Sequence, residues 1–342
     1  MVTIKDVARD AGVSVGTVSN VLNGGRVSEA RRKLVEASIE KLGYQVNTLA
    51  KGMRMQKTDY VVVILPNLIN PYFALLLDAL ESELSAVGKQ VLLCLSGDDA
   101  EREVAFMDMA KQNKVDGIIG VTYSKVEEER IENMAFVSID RHYKSHIPCV
   151  AGDNWQGGWL AAENLHKRGS TNLLCFMTMS SVDSEVRKRR VGFTEYCMEH
   201  DLSCNSVEMS EKQIVSVYES YGSRKLINNM LRAYISPSLG EHSIDGIFTS
   251  SDHLATIVRE ELEEMGKQVP EDIQIIGYDG LQFLNQGKPI VSSIAQPVHE
   301  IAKEAVRCLN ELIANGKTEG NTKIPVSFQE GPTTKTLVTE EK

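Results

Sequence analysis

Several kinds of chemistry have no footing in this sequence. Its six cysteines, at positions 94, 149, 175, 197, 204 and 308, include no C-x-x-C pair. Most sit in apolar runs such as VLLCL and LLCFM, so they read as reduced core residues of a cytoplasmic protein. The opening MVTIKDVARD has no apolar core of the kind a secretory signal carries. No apolar run approaches the roughly 20 residues that a membrane-spanning helix needs. Catalytic signatures are missing as well: there is no G-x-S-x-G, no H-E-x-x-H, no Walker A loop and no G-x-G-x-x-G after a strand. The seven histidines are scattered, and the close pair His142 and His146 falls in a polar loop, a poor start for a metal site. The Gly-rich GDNWQGGW at 152–159 lacks the basic residues of a phosphate cradle and reads as a turn feeding a helix. The expectation is a protein that is not an enzyme and holds no cofactor and no metal.

What is present is ordinary in bulk and uneven along the chain. Apolar residues make up 42% and charged residues 25% of 342, enough for two or three globular domains. The net charge of −10 divides into +5 over residues 1–58 and −15 over the remainder. A basic head on an acidic body is the pattern of a modular nucleic-acid binder.

The head begins TIKDVARDAGVSVGTVSNVLN, which reads as two short helices joined by a tight turn. Ala8 is small enough for a helix crossing, Gly12 tolerates the positive φ of the turn, and Val18 can plug the second helix against the first. Thr3 and Asp6 have the spacing of a capping box, and Ser14 can cap the second helix. A third helix is expected from Glu29 to Leu42, capped by Ser28, with Val35, Ile39 and Leu42 on one face and Gly43 closing it. Arg31, Arg32 and Lys33 lie on its polar side, either as a solvated face or as phosphate contacts. The stretch YQVNTLAKGMRMQKT that follows has no acidic residue. Asn47 can cap a helix there running to about Met53. A helix of some seven residues does not hold in water alone, so a partner helix or DNA must stabilise it.

From Asp59 apolar runs alternate with amphipathic segments. Strands are expected at 60–66, 89–95, 117–121, 135–139, 173–177, 244–250, 273–279 and 290–294. Helices are expected near 72–87, 100–112, 155–167, 185–200, 218–233, 254–265 and 298–314. Repeated β-α units predict parallel sheets covered on both faces, in two subdomains of like architecture. Ligands in such folds sit at the carboxyl ends of the strands, in the crevice between lobes.

Head, connector and body in this order resemble the LacI/GalR family of bacterial transcription regulators. In the head the resemblance rests on TIKDVARDAGVS, TVSNVLN and LGYQVNTLAKGM. In the body it rests on VVVILPNLINPYF, VDGIIG, FVSIDR, GDNWQGGWLAAENL, RRVGF, SSDHLA, VPEDIQIIGYDG and SSIAQP. It implies an α/β protein: a three-helix helix-turn-helix headpiece (1–45), a hinge helix and linker (46–58), and an effector-binding and dimerisation domain (59–342). That domain would be two Rossmann-like subdomains of type I periplasmic-binding-protein architecture, one of about 59–150 and 287–316, the other of about 151–286 and 317–342.

By position, the resemblance implies that Thr3, Ser14, Thr17, Ser19, Asn23, Ser28, Tyr44 and Asn47 contact the DNA backbone. Base reading falls to Val15, Gly16 and Asn20, and Ala50, Lys51, Met53 and Arg54 complete the hinge contacts. Met53 stands where the family usually has a Leu wedge, and Val46 where it commonly has Pro. Tyr72, Phe73, Asp140, Arg141, Arg189, Ser251, Asp252, Asp279 and Gln296 are implied to line the effector cleft. Carboxylate and guanidinium groups suit vicinal hydroxyls, and an aromatic face suits a sugar ring. Asp140 and Arg141 could instead pair with each other, Asp252 could cap a helix, and Gln296 could only steady a crossover.

The expected function is that of a sequence-specific, DNA-binding repressor under the control of a small effector, a sugar or sugar derivative. It would act in the bacterial cytoplasm, associated with the nucleoid. Its partners would be a pseudo-palindromic operator, a carbohydrate and a second copy of itself; no leucine heptad ends the chain, so a homodimer rather than a tetramer is expected. The alternatives are a sugar-binding module without DNA function and a cytosolic sugar-modifying enzyme.

Overall fold

The computed structural model describes residues 2–22, 24–44, 58–97, 99–123, 131, 134–143, 147–179, 182, 184–210, 213, 224–235, 243–282, 287–318 and 320–337. Two compact units separate at 58/59, Met1–Thr58 and Asp59–Lys342.

In the first unit, α1 (Ile4–Asp10), α2 (Val15–Leu22) and α3 (Glu29–Leu42) enclose a small core of Val7, Ala8, Ala11, Val18, Val21 and Val35. Gly12 takes φ +63° in the turn between α1 and α2, where a side chain would be strained. The Asp10 carboxylate accepts from Ser38 Oγ (2.9 Å) and Lys41 Nζ (2.7 Å), which pins α1 to α3.

The second unit is built on two sheets. The first, among the described residues, has the order β11-β5-β4-β3-β1-β2, with β1 Tyr60–Leu65, β2 Gln90–Leu95, β3 Gly117–Gly120, β4 Phe136–Ile139, β5 Cys149–Gly152 and β11 Thr322–Ile324. Its pairings are parallel. The run YVVVIL makes β1 a central strand: it is branched, apolar and buried on both faces. Helices α4 (Pro71–Ala86), α5 (Ala100–Gln112) and α10 (Val298–Asn315) pack on this sheet. The second sheet has the order β12-β10-β9-β8-β6-β7, with β6 Asn172–Met179, β7 Ser203–Ser210, β8 Gly246–Thr249, β9 Gln274–Asp279, β10 Ser292–Ala295 and β12 Ser327–Gln329. It is parallel apart from β12, which runs antiparallel to β10. Helices α6 (Asn154–Lys167), α7 (Arg187–Glu199), α8 (Arg224–Ile235) and α9 (Asp252–Glu264) cover it.

The lobe boundaries differ from the sequence expectation at both later crossings. Ser292–Ala295 pairs with Ile276–Asp279, so 287–295 carries a strand of the second sheet and not of the first lobe. Thr322–Ile324 pairs with Val150–Gly152, so β11 belongs to the first sheet, although 317–342 was assigned to the second lobe. The chain thus passes between sheets after β5, after β10 and after β11. Strands β5, β7, β11 and β12 were not anticipated. In β7 the sequence SCNSVEMS is polar because it is a sheet edge with most positions open to solvent, so it shows no apolar run.

Candidate functional site

In the first unit the Asp6 carboxylate accepts both the N–H (3.0 Å) and the hydroxyl (2.6 Å) of Thr3, closing the capping box at α1. Ser14 Oγ accepts the N–H of Thr17 (3.1 Å) and its hydroxyl meets that of Thr17 at 3.0 Å, which starts α2. With Val18 and Val21 turned into the core, the same helix leaves Val15, Gly16 and Asn20 exposed together on its outer face. Ser14 and Ser28 are exposed, while Thr17, Ser19 and Tyr44 are half-buried. Tyr44 packs against the small core, which ties the end of α3 to it. Arg31 and Lys33 face solvent, whereas Arg32 donates to the carbonyl of Gly25 (3.3 Å). Asn23, Asn47, Ala50, Lys51, Met53 and Arg54 lie outside the described residues.

In the second unit polar residues gather at the carboxyl ends of the strands of both sheets. Asp140 follows β4 and Asp279 ends β9, and both hold left-handed backbone, φ +60° and +118°. Such strain in non-glycine residues persists only where the surroundings dictate it. Arg189 enters from the first turn of α7. Its Nε donates to Asn154 Oδ1 (2.6 Å), its Nη1 to the carbonyl of Ser250 (2.7 Å), and its guanidinium lies over the Tyr278 ring at 3.5 Å. Asn154 in turn donates to Asp140 Oδ1 (3.3 Å) and to the carbonyl of Gly152 (2.9 Å), so one buried amide joins the two lobes. Asp279 Oδ1 accepts from Gln296 Nε2 (2.9 Å), and the Asn70 side chain reaches the same carboxylate from the first lobe.

Helix packing fixes this geometry. A Cβ on Gly158 would fall 1.8 Å from the carbonyl oxygen of Arg189, and one on Gly192 would fall 2.0 Å from that of Trp155. Only glycine permits this backbone-to-backbone contact of α6 and α7, which brings Asn154 beside Arg189.

Burial governs the charges. It pushes Asp140 up to about 6, against the pull of Arg189 and Asn154. It pushes Asp279 up to about 7, against Arg189, Gln296 and Asn70. The Tyr72 phenol is raised by burial and by both carboxylates. Burial opposes the charge on Arg189, but Tyr278, Asp279 and Asp140 outweigh it and hold the cation. Buried polar atoms in this neighbourhood without a hydrogen-bond partner include Tyr72 Oη, Asp279 Oδ2 and Gln296 Oε1, and also Tyr278 Oη and Glu185 Oε2. Such atoms are costly unless something hydrogen-bonds to them.

The other cleft residues named from sequence have structural contacts. Arg141 does not pair with Asp140 in the way considered: its Nη1 donates to Thr122 Oγ1 (3.2 Å) and its guanidinium lies 4.4 Å from the centre of the Tyr143 ring. Ser251 caps α9 through the N–H of Leu254 (3.1 Å). Asp252 spends Oδ1 on Ser293 Oγ (2.5 Å) and Oδ2 on the N–H of Leu281 (2.7 Å), so it braces the turn that follows Asp279. Phe73 meets Tyr72 edge-on and belongs to the first-lobe core. Asn70, Asn154, Glu185 and Tyr278 were not anticipated. Asn70 had a signal, since an Asn before Pro-Tyr-Phe is a helix cap, and its side chain does accept the N–H of Tyr72 (3.1 Å). Of the histidine pair, His142 is bonded to Glu185, and His146 lies outside the described residues. Among the described residues no three His, Cys, Asp or Glu side chains are placed to hold a metal ion.

Comparison with known proteins covers both units. Residues 3–47 match the family described as bacterial regulatory proteins, lacI family, and residues 162–334 match the periplasmic binding protein-like domain. The chain is 32% identical over 332 residues to a sucrose operon repressor of Pediococcus pentosaceus, covering 96% of this chain and 98% of that one. It is 32% identical to a ribose operon repressor of Halalkalibacterium halodurans, covering 90% and 89%. Among solved structures, a periplasmic binding protein/LacI transcriptional regulator from Alkaliphilus metalliredigens complexed with D-xylulofuranose superposes with a TM-score of 0.69 at 26% identity, over 81% of this chain and all of that one. The Lac repressor dimer bound to operator and an anti-inducer shares the fold with a TM-score of 0.79 at 22% identity, over 97% and 98%.

Proposed function

The chain belongs to the LacI family of bacterial regulatory proteins, and from that membership we propose a cytoplasmic, homodimeric repressor released from or held on its operator by a sugar bound between the two lobes. It is a DNA-binding regulator and not an enzyme, as its operon-repressor relatives are. Two heads meet a pseudo-palindromic operator. Val15, Gly16 and Asn20 face the bases, and Thr3, Ser14, Thr17, Ser19, Asn23, Ser28 and Tyr44 meet the phosphates. Asn47 to Arg54 forms the hinge helix on DNA, with Met53 as the minor-groove wedge. The effector couples to the hinge by shifting the balance between lobe arrangements.

One observation carries the effector site: Tyr72 Oη, Asp279 Oδ2 and Gln296 Oε1, unpartnered and buried, supply three hydrogen-bonding positions from three segments around Asp140 and Arg189. Sugar hydroxyls match them. The names of relatives point the same way, to sucrose and ribose operons and a bound D-xylulofuranose.

The test is a mobility shift of the promoter of the chain's own operon, with and without ribose, sucrose and related sugars. Specific retardation that one sugar alters is expected. Absence of specific binding in every condition would sink the proposal.

A further inference from the structure

Four of the six cysteines are closed to chemistry. Cys94, Cys149, Cys175 and Cys308 are buried, and burial pushes each of these thiols up. Cys204 differs from them in sequence and in place. It stands in the polar run SCNSVEMS of the edge strand β7, and it alone of the six is not buried.

The chain reversal before β7 brings a second thiol to it. Cys197 lies in the last turn of α7. Asp201 then takes left-handed backbone, φ +53°, and the N–H of Leu202 returns to the carbonyl of Cys197 (2.9 Å). This tight turn sets the start of β7 back against the helix end, and the side chains of Cys197 and Cys204 hydrogen-bond to each other. The Thr194 side chain, one turn earlier on α7, reaches the same Cys204 sulfur. These two bonds hold the Cys204 thiol below its ordinary range against its partial burial, while the shared bond and burial push Cys197 up. As a thiol, Cys204 has only a weak acceptor of its own, the Asn205 carbonyl at 3.8 Å. Cys175 is no rival partner. Cys204 is in register with Leu173, two positions before Cys175 on β6, so strand spacing and rise put the two Cα atoms about 8 Å apart, beyond disulfide reach.

We propose that Cys204 and Cys197 form a reversible, peroxide-sensitive thiol pair, with Cys204 as the attacking sulfur and Cys197 as the resolving one. The Cys204 thiolate attacks one oxygen of hydrogen peroxide, the O–O bond breaks, and a sulfenic acid and hydroxide result. The hydroxide takes the Cys197 proton. The Cys197 sulfur then attacks the Cys204 sulfur, and the S–O bond breaks with loss of a second hydroxide, which leaves as water with a solvent proton. In sum two thiols and one peroxide give one disulfide and two waters. A dithiol reductant reverses the product by exchange. The crosslink ties the end of α7, the helix whose first turn holds Arg189, to the edge of its own sheet.

The test is peroxide treatment of the reduced full chain, read by intact mass, thiol titration and peptide mapping. The mass should fall by two hydrogens, titratable thiols should fall by two of six, and the map should join the peptides of Cys197 and Cys204. This should be complete before Met198, 72% exposed and next in the chain, gains oxygen. Dithiothreitol should restore both thiols. Cys204→Ser should slow thiol loss by about tenfold or more. Cys197→Ser should leave a sulfenic acid on Cys204 that dimedone captures. The wild-type map stands even if neither variant folds. Six thiols retained at peroxide that already oxidises Met198, a crosslink through any other cysteine or between chains, or an unchanged rate in folded Cys204→Ser overturns the proposal.

Discussion

Asp279 is the residue whose replacement tests the proposed effector site most directly. It holds a left-handed backbone at the end of β9, offers Oδ1 to Gln296 and leaves Oδ2 for a ligand. Asp279→Asn keeps the acceptor used by Gln296 but turns the ligand-facing acceptor into a donor. The expected outcome is loss of the sugar response with operator affinity unchanged, read by mobility shift. The same variant tests the electrostatics. A carboxyl raised from 3.8 to about 7 in the folded state gives up its proton more readily unfolded. The stability it contributes is therefore present below about pH 4 and is lost as pH rises toward 7. Asp140, raised to about 6, adds the same sign over a narrower range. The melting temperature of the sugar-free wild type should fall between pH 5 and 8, and Asp279→Asn should flatten much of that slope. A slope unchanged by the variant would assign the pH dependence elsewhere. Asn154→Ala tests the residue that bridges the lobes. It leaves Arg189 Nε buried without its amide partner, which costs about 1–3 kcal/mol by urea unfolding.

Among the elements, α6 and α7 carry the site because two glycines let their backbones touch. Gly192→Ala places a methyl group 2.0 Å from the Trp155 carbonyl oxygen, and backbone on both sides cannot yield as a side chain would. The helices must part, and Arg189 moves away from Asn154. A loss of about 3 kcal/mol is expected. It can be followed by tryptophan fluorescence, since both tryptophans, Trp155 and Trp159, lie on α6 and report only on the second unit. Unchanged urea stability would show that the contact is loose. This is also where the reach of the sequence becomes visible. The helices of the head were legible because capping residues, a turn glycine and apolar spacing agree over twenty or so positions. Asp140, Arg189, Asp279 and Gln296 were nameable because each sits in a motif at a strand or helix end. Asn154 was not, since nothing in GDNWQGGW tells that an amide there faces another segment 35 residues on. Glu185 was hidden for the same reason: an acid ahead of RKRR reads as a solvated charge until the fold brings His142 and Lys323 to it. The strand β7 escaped because an edge needs no apolar alternation.

At the scale of the whole molecule, the two functions differ in how exposed their charges are, and salt should tell them apart. The head and connector carry +5 within residues 1–58, and the rest carries −15. A body of that sign adds no attraction for phosphates, so under the proposed function the direct DNA contacts fall to head and hinge. Binding through roughly 6–10 phosphate contacts releases as many counterions, so operator affinity should drop by about 10³–10⁵ between 50 and 200 mM salt. The proposed sugar site has the opposite character. Asp140, Arg189, Asp279 and Gln296 are each at least nine-tenths buried, out of reach of mobile ions, and a neutral ligand releases none. Sugar affinity should stay within about twofold over the same range. Fluorescence anisotropy on labelled operator and calorimetry on the sugar give the two slopes from one preparation. Met53→Ala adds the hinge to the comparison. An apolar wedge makes no ion pair, so its loss should leave the salt slope nearly as it was while lowering specific operator affinity more than bulk DNA affinity. Equal losses on specific and bulk DNA would remove Met53 from the wedge. A sugar affinity as steep in salt as operator binding would mean that the effector is charged, against the reading of a neutral sugar.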